Sequence, residues 1–279
     1  MSKVEAKVYG LHFYPIKSCG ETIAPRAEVT EKGFRYDRHW MVVDSNGNFL
    51  TQRELPRMTL IRPELDGNKL IIAGQGESSI LEIPVNNDEG LRRQVVVWGN
   101  QCDGVDDGDI PAQWFSDYLG VGARLVHMPN DFIREKKPGY GRLEFADSYP
   151  FLIVSQESLQ DLNERIVAND GQPVPMNRFR PNIVVEGCEP YAEDRWGRIK
   201  IGEVEFDVVK PCIRCPIPQV DQATSVKGKE PIKTLYTYRK VSKKDVIFAQ
   251  KAVNLNVGEL VVGQDVEVFN GKELPTFIE

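Results

Sequence analysis

The sequence predicts a mainly β protein, made of barrels or sandwiches with a few short covering helices. Three observations lead to this class: short runs of alternating apolar residues, tight-turn dipeptides between them, and few segments with helical periodicity. The chain has 279 residues, of which 41% are hydrophobic and 27% charged, the usage of an ordinary globular protein. At this length a chain can bury a sizeable core without disulfide or metal staples.

Turns rich in Asn, Asp and Gly bound the predicted strands. Asn46-Gly47 separates the runs His39–Val43 and Phe49–Gln52, and an Asn-Gly pair accepts the positive φ angles of a type I′ hairpin turn. The same pattern predicts a strand over Lys69–Ala73 after Asp66-Gly67, a hairpin of Ile199–Ile201 and Val204–Val209 around Gly202-Glu203, and a strand over Val266–Phe269 that runs into a turn at Asn270-Gly271.

Three segments have helical patterns. The first is Pro111–Leu119, with Asp109 as its capping residue and Gly120 as its stop signal. The second is Ser155–Ile166, and the third, with a weaker pattern, is Pro231–Arg239. Because these helices are short and scattered, we expect them to cover β structure rather than to form a bundle.

Two β-rich halves are predicted, covering residues 1–122 and 123–279. Gly120, Gly122 and the polar stretch Asn130–Gly141 lie between them, and Gly-rich polar segments are typical of linkers. The stretch is equally suited to a mobile lid.

The charge balance limits the partners. With 35 Lys and Arg against 41 Asp and Glu, the formal net charge is −6, so the overall field should repel nucleic acid and anionic lipid. A basic binding site must therefore be local. No apolar run is long enough for a membrane span, and the first residues lack an apolar signal-peptide core. We expect a cytoplasmic protein whose five cysteines are reduced.

The most specific local feature is the Cys-x-x-Cys pair Cys212 and Cys215, with Lys210 and Arg214 beside it. Neighbouring cations favour a thiolate, which is a nucleophile and a soft metal ligand. The spacing alone leaves several interpretations open: a structural zinc site, a thioredoxin-like redox pair, or two buried thiols in a Pro-framed loop.

Two further features are basic. Tyr14–Gly20 carries Lys17 and Ser18 in a Gly-containing turn, a composition that suits phosphate. Arg38 and Arg180 lie next to aromatic residues at strand edges, where a guanidinium is placed to bind phosphate or carboxylate. Surface positions and surface ion pairs are the alternative interpretations.

Other patterns are better explained by structure or are absent. The acidic run Asp103–Asp109 resembles a cation loop but lacks the spacing of an EF-hand, so we interpret it as a turn before a helix. The sequence motifs of metalloproteases, α/β-hydrolases and Rossmann dinucleotide-binding proteins do not occur.

Taken in order, five segments of the chain resemble MOSC-domain proteins. More narrowly, they are similar to the branch with an N-terminal MOSC β-barrel domain, which includes the mitochondrial amidoxime-reducing component and its bacterial relatives. The resemblance implies a MOSC N-terminal β-barrel-like domain over 1–122 and a MOSC domain over 123–279. The segments are Tyr14–Ser18, Asp37–Trp40, Asp147–Phe151, Arg180–Asn182 and Cys212–Cys215.

The resemblance also implies a molybdenum cofactor, a pyranopterin whose dithiolene and one protein thiolate bind molybdenum. Cys215 matches the ligating and catalytic cysteine, and Cys212 is left structural or supporting. The positions that match the surroundings of the cofactor are Lys17, Ser18, Arg38, Asp147, Ser148, Arg180, Asn182, Ile213 and Arg214.

The implied activity is reduction of small N-hydroxylated compounds. No cysteine follows Cys215, so an iron-sulfur domain is not expected in this sequence and a separate protein should donate electrons. Pro218 and Gln219 replace the threonines that tend to follow the ligating cysteine in amidoxime-reducing relatives, so substrate preference should differ. Two alternatives share the same pocket: a sulfur-transfer protein that works with a pyridoxal-phosphate-dependent desulfurase, and a non-catalytic carrier of the molybdenum cofactor.

Overall fold

The computed structural model describes residues 6–85, 89–135 and 141–278. Within these ranges the chain forms eighteen strands, three α-helices and four short 3₁₀ helices. The strands are β1 (Lys7–Phe13), β2 (Thr22–Ala24), β3 (Arg26–Thr30), β4 (Gly33–Phe34), β5 (Trp40–Val43), β6 (Ile61–Asp66), β7 (Lys69–Gly74), β8 (Ile80–Pro84), β9 (Arg92–Val97), β10 (Asn100–Asp106), β11 (Arg124–His127), β12 (Phe151–Ser155), β13 (Ile183–Glu186), β14 (Trp196–Ile201), β15 (Val204–Ile213), β16 (Ile247–Asn254), β17 (Gly258–Val261) and β18 (Val266–Gly271). The α-helices are α1 (Asp109–Leu119), α2 (Gln156–Ala168) and α3 (Ile232–Tyr238), and the 3₁₀ helices are Pro56–Leu60, Met176–Phe179, Ala192–Arg195 and Ile217–Gln219. The prediction of a mainly β protein with a few short helices is confirmed.

The strands belong to four sheets. The largest has eight strands in the order β18-β14-β15-β16-β12-β13-β1-β2, in which β12 and β13 are parallel. A four-stranded sheet has the order β5-β11-β10-β9, and two three-stranded sheets have the orders β17-β3-β4 and β6-β7-β8. Strands β1 and β3 pair with β13 and β17, so the early strands are built into sheets with strands from the second half of the chain.

Apolar residues from facing strands form the main cores. One cluster packs Phe34, Phe151 and Phe206 edge to face inside the eight-stranded sheet. A second packs Trp40 and Phe115 against the β6-β7-β8 hairpins. Burying side chains of this size contributes about 1.5–3 kcal/mol each, so these cores hold the rigid frame on which the loops are placed.

The helices begin and end close to the predicted residues. Ser155 caps α2 by accepting a hydrogen bond from the backbone N–H of Ser158 at 3.1 Å. Gly120 ends α1 in the left-handed conformation, φ 71°. The predicted cap Asp109 is wrong, since Gly108 holds the N-cap position and Asp109 lies in the first turn, where it accepts a hydrogen bond from Arg124 at 2.8 Å.

Three predicted segments differ in the structure: the strand Phe49–Gln52, the turn in the acidic run Asp103–Asp109, and the turn at Asn270-Gly271. The hairpin at Asp66-Gly67 forms, but residues 49–52 contribute only a single bridge, Val43 to Phe49. There the Thr51 hydroxyl accepts the N–H of Arg53 at 2.9 Å and starts a turn instead of a strand. The acidic run predicted as a turn is strand up to Asp106, whose carboxylate two arginines neutralise.

The turn predicted at Asn270-Gly271 is also wrong, because β18 continues to Gly271. The Asn270 side chain accepts the backbone N–H of Arg198 at 2.6 Å and so completes an irregular stretch of pairing with β14.

Part of the stretch predicted as a linker or lid, residues 136–140, lies outside the described residues. Among the residues that are described, no helix has the length and apolar character needed to cross a bilayer.

Candidate functional site

One cavity brings the predicted site residues together. It has a volume of about 580 Å³, within the usual range of small-molecule sites. All ten residues predicted from the family resemblance line it, and Cys212 lies among them. The lining residues are Lys17, Ser18, Arg38, Arg53, Trp98, Ala146, Asp147, Ser148, Tyr149, Phe151, Leu152, Phe179, Arg180, Asn182, Cys212, Ile213, Arg214, Cys215, Pro216, Ile217 and Lys251.

The eight-stranded sheet explains why residues so far apart in sequence meet here. Strands β15, β16, β12, β13 and β1 are consecutive neighbours in this sheet. Lys17 and Ser18 follow β1, Asp147 and Ser148 precede β12, Arg180 and Asn182 precede β13, and the Cys-x-x-Cys segment ends β15. Each of these groups of site residues lies at the end of a strand, and pairing of the five strands brings the groups together in the cavity.

A buried lysine forms one wall. Lys17 Nζ donates to the carbonyl of Phe145 at 2.7 Å and to the carboxylate of Asp147. Burial lowers the pKa of Lys17, and Asp147 acts in the opposite direction. Burial also raises the pKa of Asp147, but its hydrogen bond and ion pair with Lys17, helped by Arg53, outweigh this and keep the pKa below its ordinary value. Asp147 is therefore ionised at neutral pH.

Asp37 organises the next part of the wall. Its carboxylate accepts the backbone N–H of Tyr14 at 2.8 Å, the side-chain amide of Asn182 at 3.1 Å and the guanidinium of Arg38. The Asn182 side chain also accepts the N–H of Leu152 at 3.2 Å. The side-chain amide of Asn182 is thus hydrogen-bonded to protein groups. Its main effect on the cavity is to hold the Asp37 carboxylate, which in turn positions the Arg38 guanidinium.

Two arginines of the site lack carboxylate partners. Arg180 donates to the carbonyl of Cys19 at 2.7 Å, and Arg214 donates to the carbonyl of Phe179 at 2.9 Å. In the described part of the chain neither forms an ion pair, and Nε of Arg214 is buried without a hydrogen-bond partner. Buried cations without counter-charges are costly, so both guanidinium groups favour a bound anion.

The two thiols of the Cys-x-x-Cys pair are each beside a different arginine. Arg214 Nη1 lies 3.2 Å from Cys212 Sγ, and Arg53 Nη2 lies 3.5 Å from Cys215 Sγ. Both cysteines are partly buried, whereas Cys19 is fully buried. Burial raises the pKa of Cys19 to about 12, so that thiol stays protonated. Cys212 and Cys215 are therefore the thiols placed for charge-assisted contacts.

Three lining residues have strained backbone. Ser18, Arg38 and Arg180 have φ angles of 69°, 54° and 56°, in the left-handed region that side chains other than glycine rarely adopt. Such conformations cost about 1–3 kcal/mol each and concentrate at binding and active sites. The fold thus maintains unfavourable backbone where these side chains enter the cavity.

The charge of the cavity is opposite to that of the whole protein. Six cationic side chains line it, against the single carboxylate of Asp147, while the chain as a whole has a formal charge of −6. A concentrated positive field in a partly enclosed cleft attracts anions. The predicted local basic site is therefore present.

Sequence reasoning missed several lining residues. Arg53 and Trp98 come from two different loops, and the Arg53 guanidinium lies 4.8 Å from the centre of the Trp98 ring. The only sequence signal was a tryptophan at the hairpin turn before Gly99, where large aromatic residues are unusual. Lys251 lies in the middle of β16, next to Gln250, where no motif marks it as a site residue.

The arrangement can bind an anionic organic group and place it next to a thiol. In the described part of the chain, no group of three or more His, Cys, Asp and Glu side chains could hold a metal ion. The soft donors that line the cavity are the thiols of Cys212 and Cys215, with guanidinium and ammonium groups around them. This set fits a thiophilic metal that brings further ligands with an anionic cofactor.

Comparison with known proteins gives the same picture over most of the chain. The MOSC N-terminal beta barrel domain matches residues 5–122, and the MOSC domain matches residues 140–267. Mitochondrial amidoxime-reducing component 1 of Homo sapiens is 36% identical, over 92% of this chain and 81% of that protein. The protein of the same name from Danio rerio is 33% identical, over 91% of this chain and 82% of that protein.

A second kind of relative matches as well. Molybdenum cofactor sulfurase of Danio rerio is 32% identical over 81% of this chain, but only 29% of that longer protein is covered. Both kinds of relative contain the region that matches this chain. The family predicted from the five sequence segments is therefore confirmed: the chain belongs to the MOSC-domain proteins that have an N-terminal MOSC β-barrel domain.

Proposed function

We propose that the protein is a molybdenum-cofactor-dependent oxidoreductase that reduces N-hydroxylated small molecules. The observation that carries the proposal is the cavity itself, where six cations surround a partly buried thiol in an acidic protein. The names of the amidoxime-reducing relatives supply the reaction class.

In this proposal Cys215 is the thiolate ligand of molybdenum, and the basic residues hold the phosphate of the pterin. Arg180 and Arg214 are suited to the phosphate because no carboxylate in the described residues neutralises them. Lys17 has a counter-charge in Asp147 and contributes less net attraction. Ser18, Ser148 and Ile213 line the cavity between these groups.

When bound, the cofactor supplies two electrons, which with two protons convert an N-hydroxylated group to the reduced nitrogen compound and water. The protein's own contribution is placement and electrostatics. Arg53 donates to Cys215 Sγ at 3.5 Å and so stabilises negative charge on the ligating sulfur. In this proposal a separate donor protein supplies the electrons.

The test is to measure molybdenum and zinc by elemental analysis, and pterin by fluorescence after oxidation, in protein purified from a cofactor-competent host. We expect near-stoichiometric molybdenum and pterin in the wild type and loss of most of the metal in Cys215→Ala. Cys188→Ala, which removes a thiol outside the cavity, is the matched control and should retain both.

Zinc in place of molybdenum, or neither metal nor pterin in the wild type, would overturn the proposal. If the cofactor is present, reduction of benzamidoxime with a chemical electron donor follows. Turnover by the wild type that Cys215→Ala lacks separates the reductase from a carrier that only holds the cofactor.

One observation favours a second function, sulfur transfer. The same region of the chain matches molybdenum cofactor sulfurases, and a guanidinium beside Cys215 would also stabilise a persulfide. Here a pyridoxal-phosphate-dependent desulfurase would supply the sulfur. Intact-protein mass spectrometry distinguishes the two, because one additional sulfur atom on Cys215 without molybdenum would support transfer.

A further inference from the structure

We propose that two lysines, the rim lysines, bind an anionic group of the substrate: Lys251, which lines the cavity, and Lys210, which lies opposite it on β15. The group is a carboxylate or phosphate that is remote from the N-hydroxylated end. The inference rests on the proposed function, because it specifies which class of substrate the same cavity accepts.

The two lysines face each other on neighbouring strands. In the antiparallel register of β15 and β16, Lys210 lies directly opposite Lys251. Their ammonium groups lie 5.4 and 5.6 Å from the centre of the same ring, that of Tyr149. Lys251 and Tyr149 line the cavity, and Lys251 Nζ also donates to the hydroxyl of Ser148 at 2.9 Å.

Nothing in the described part of the chain neutralises this pair. Like charges directly opposite each other in an antiparallel sheet are destabilising, and neither lysine forms an ion pair with a carboxylate among the described residues. An ammonium group has three donors, and one of those on Lys251 is used by Ser148. An anion between the two lysines would remove the repulsion and use the free donors.

The lysine pair is separated from the thiols along the strand. Ile213 lies three residues after Lys210 on β15, and an extended chain advances about 3.3 Å per residue. Along the strand, the anionic group would thus lie on the order of 10 Å from the position of Ile213, inside the Cys-x-x-Cys segment. A substrate whose acid group and N-hydroxyl group are at opposite ends of an aromatic ring matches this separation.

The experiment compares two substrates that differ only in charge, benzamidoxime and 4-carboxybenzamidoxime, on cofactor-loaded protein. We expect Lys210→Met and Lys251→Met each to raise KM for the carboxylated substrate about tenfold, equivalent to about 1.4 kcal/mol, without a matching loss of kcat. The KM of benzamidoxime should change less than twofold in Lys210→Met, whose residue lies outside the cavity lining, because this substrate has no group for the ammonium to bind. Lys200→Met, on the neighbouring strand β14 and outside the cavity, is the charge-matched control.

A second readout does not depend on turnover. Binding of the unreactive 4-carboxybenzamide is measured by ligand-observed NMR titration, and both rim variants should weaken it about tenfold while Lys200→Met does not. If benzamidoxime is not reduced but this binding is lost in the variants, the proposed function fails and the anion site stands. Equal binding in all proteins would overturn the anion site. Loss of pterin and molybdenum from Lys251→Met would overturn it as well, because the lysine would then hold the cofactor.

Discussion

Two buried charged regions of the molecule are built on different principles. Beneath the eight-stranded sheet, Asp194 accepts hydrogen bonds from Arg239 at 2.6 Å and from Gln250 at 2.6 Å. Gln250 in turn accepts one from Lys272 at 2.8 Å. We call these four residues the Asp194 network. In the cavity, by contrast, Arg180 and Arg214 have only neutral partners among the described residues.

The difference shows that burial alone does not identify a binding site. Arg239 and Arg180 are both more than nine-tenths buried, with 4% and 9% of their surface exposed. Arg239 has a carboxylate partner and packs against the Tyr191 ring, so its charge serves the fold. Arg180 forms no direct ion pair with a carboxylate among the described residues and has a strained backbone, so its charge is available to a ligand. The two regions differ in whether the buried arginine is paired with a carboxylate, not in how deeply the arginine is buried.

The largest expected effect comes from breaking the Asp194 network. In Arg239→Met the carboxylate of Asp194, 1% exposed, loses its cation, and leaving a buried charge unpaired costs about 3–5 kcal/mol. Urea unfolding should show this loss in the free energy of unfolding. The molybdenum and pterin content per folded molecule should be unchanged.

The control for this prediction is Arg198→Met, which removes an exposed arginine paired with Asp207 at 2.8 Å. Exposed pairs contribute about 0–1 kcal/mol. A loss in Arg239→Met no larger than that in Arg198→Met would mean that the Asp194 network is not a structural ion pair, and the contrast with the cavity would fail.

For Arg53→Met in the cavity we expect the opposite result: little change in stability and a large loss of cofactor retention. The side chain is partly exposed and donates to Cys215 Sγ and lies near Asp147, so the free energy of unfolding should change by about 1 kcal/mol or less. Cofactor retention should weaken about 10–100-fold, since a hydrogen bond to a charged group is worth about 1.5–3 kcal/mol.

Retention is measured as the rate of pterin release by fluorescence. Arg57→Met, which removes an exposed arginine outside the cavity lining, carries the same charge change and should retain the cofactor. Equal release from both variants would remove Arg53 from the cofactor site.

The smallest expected effect concerns the pH dependence of stability. The pKa of Asp147 is lower in the folded protein than its ordinary value, because the pairing with Lys17 outweighs the effect of burial. Ionised Asp147 therefore stabilises the fold at pH values above its unfolded pKa of about 3.9, and this contribution is lost as the pH falls through the lower folded pKa. Because the side chain is 46% exposed, we expect less than about 1 kcal/mol.

The contribution of ionised Asp147 to the free energy of unfolding is measured by urea unfolding of the wild type and Asp147→Asn at several pH values. The stability difference should be constant between about pH 7 and 5 and should shrink below about pH 4. A difference that grows on acidification would contradict the assigned direction of the pKa shift.

Much of the fold could be predicted because local signals agreed with the final structure. The hairpin of β14 and β15 around Gly202 and the capped helix α2 depend on turn and capping chemistry within a few residues. The predictions failed where a distant partner decided the outcome. Asn270 continues a strand because it bonds to Arg198, and residues 49–52 leave the sheet and carry Arg53 to the cavity.

The sequence by itself determined the mainly β class, the acidic overall charge, the family and ten of the residues that line the cavity, since residue types and short motifs carry these properties. Only the tertiary structure decided which charges are neutralised. Arg180, Asp37 and Asn182 are similar polar positions in sequence, yet strand pairing places Asn182 on Asp37 and leaves Arg180 without a carboxylate in the described residues. The pairing of Lys210 with Lys251 likewise depends on a strand register across some forty residues, which no local pattern specifies.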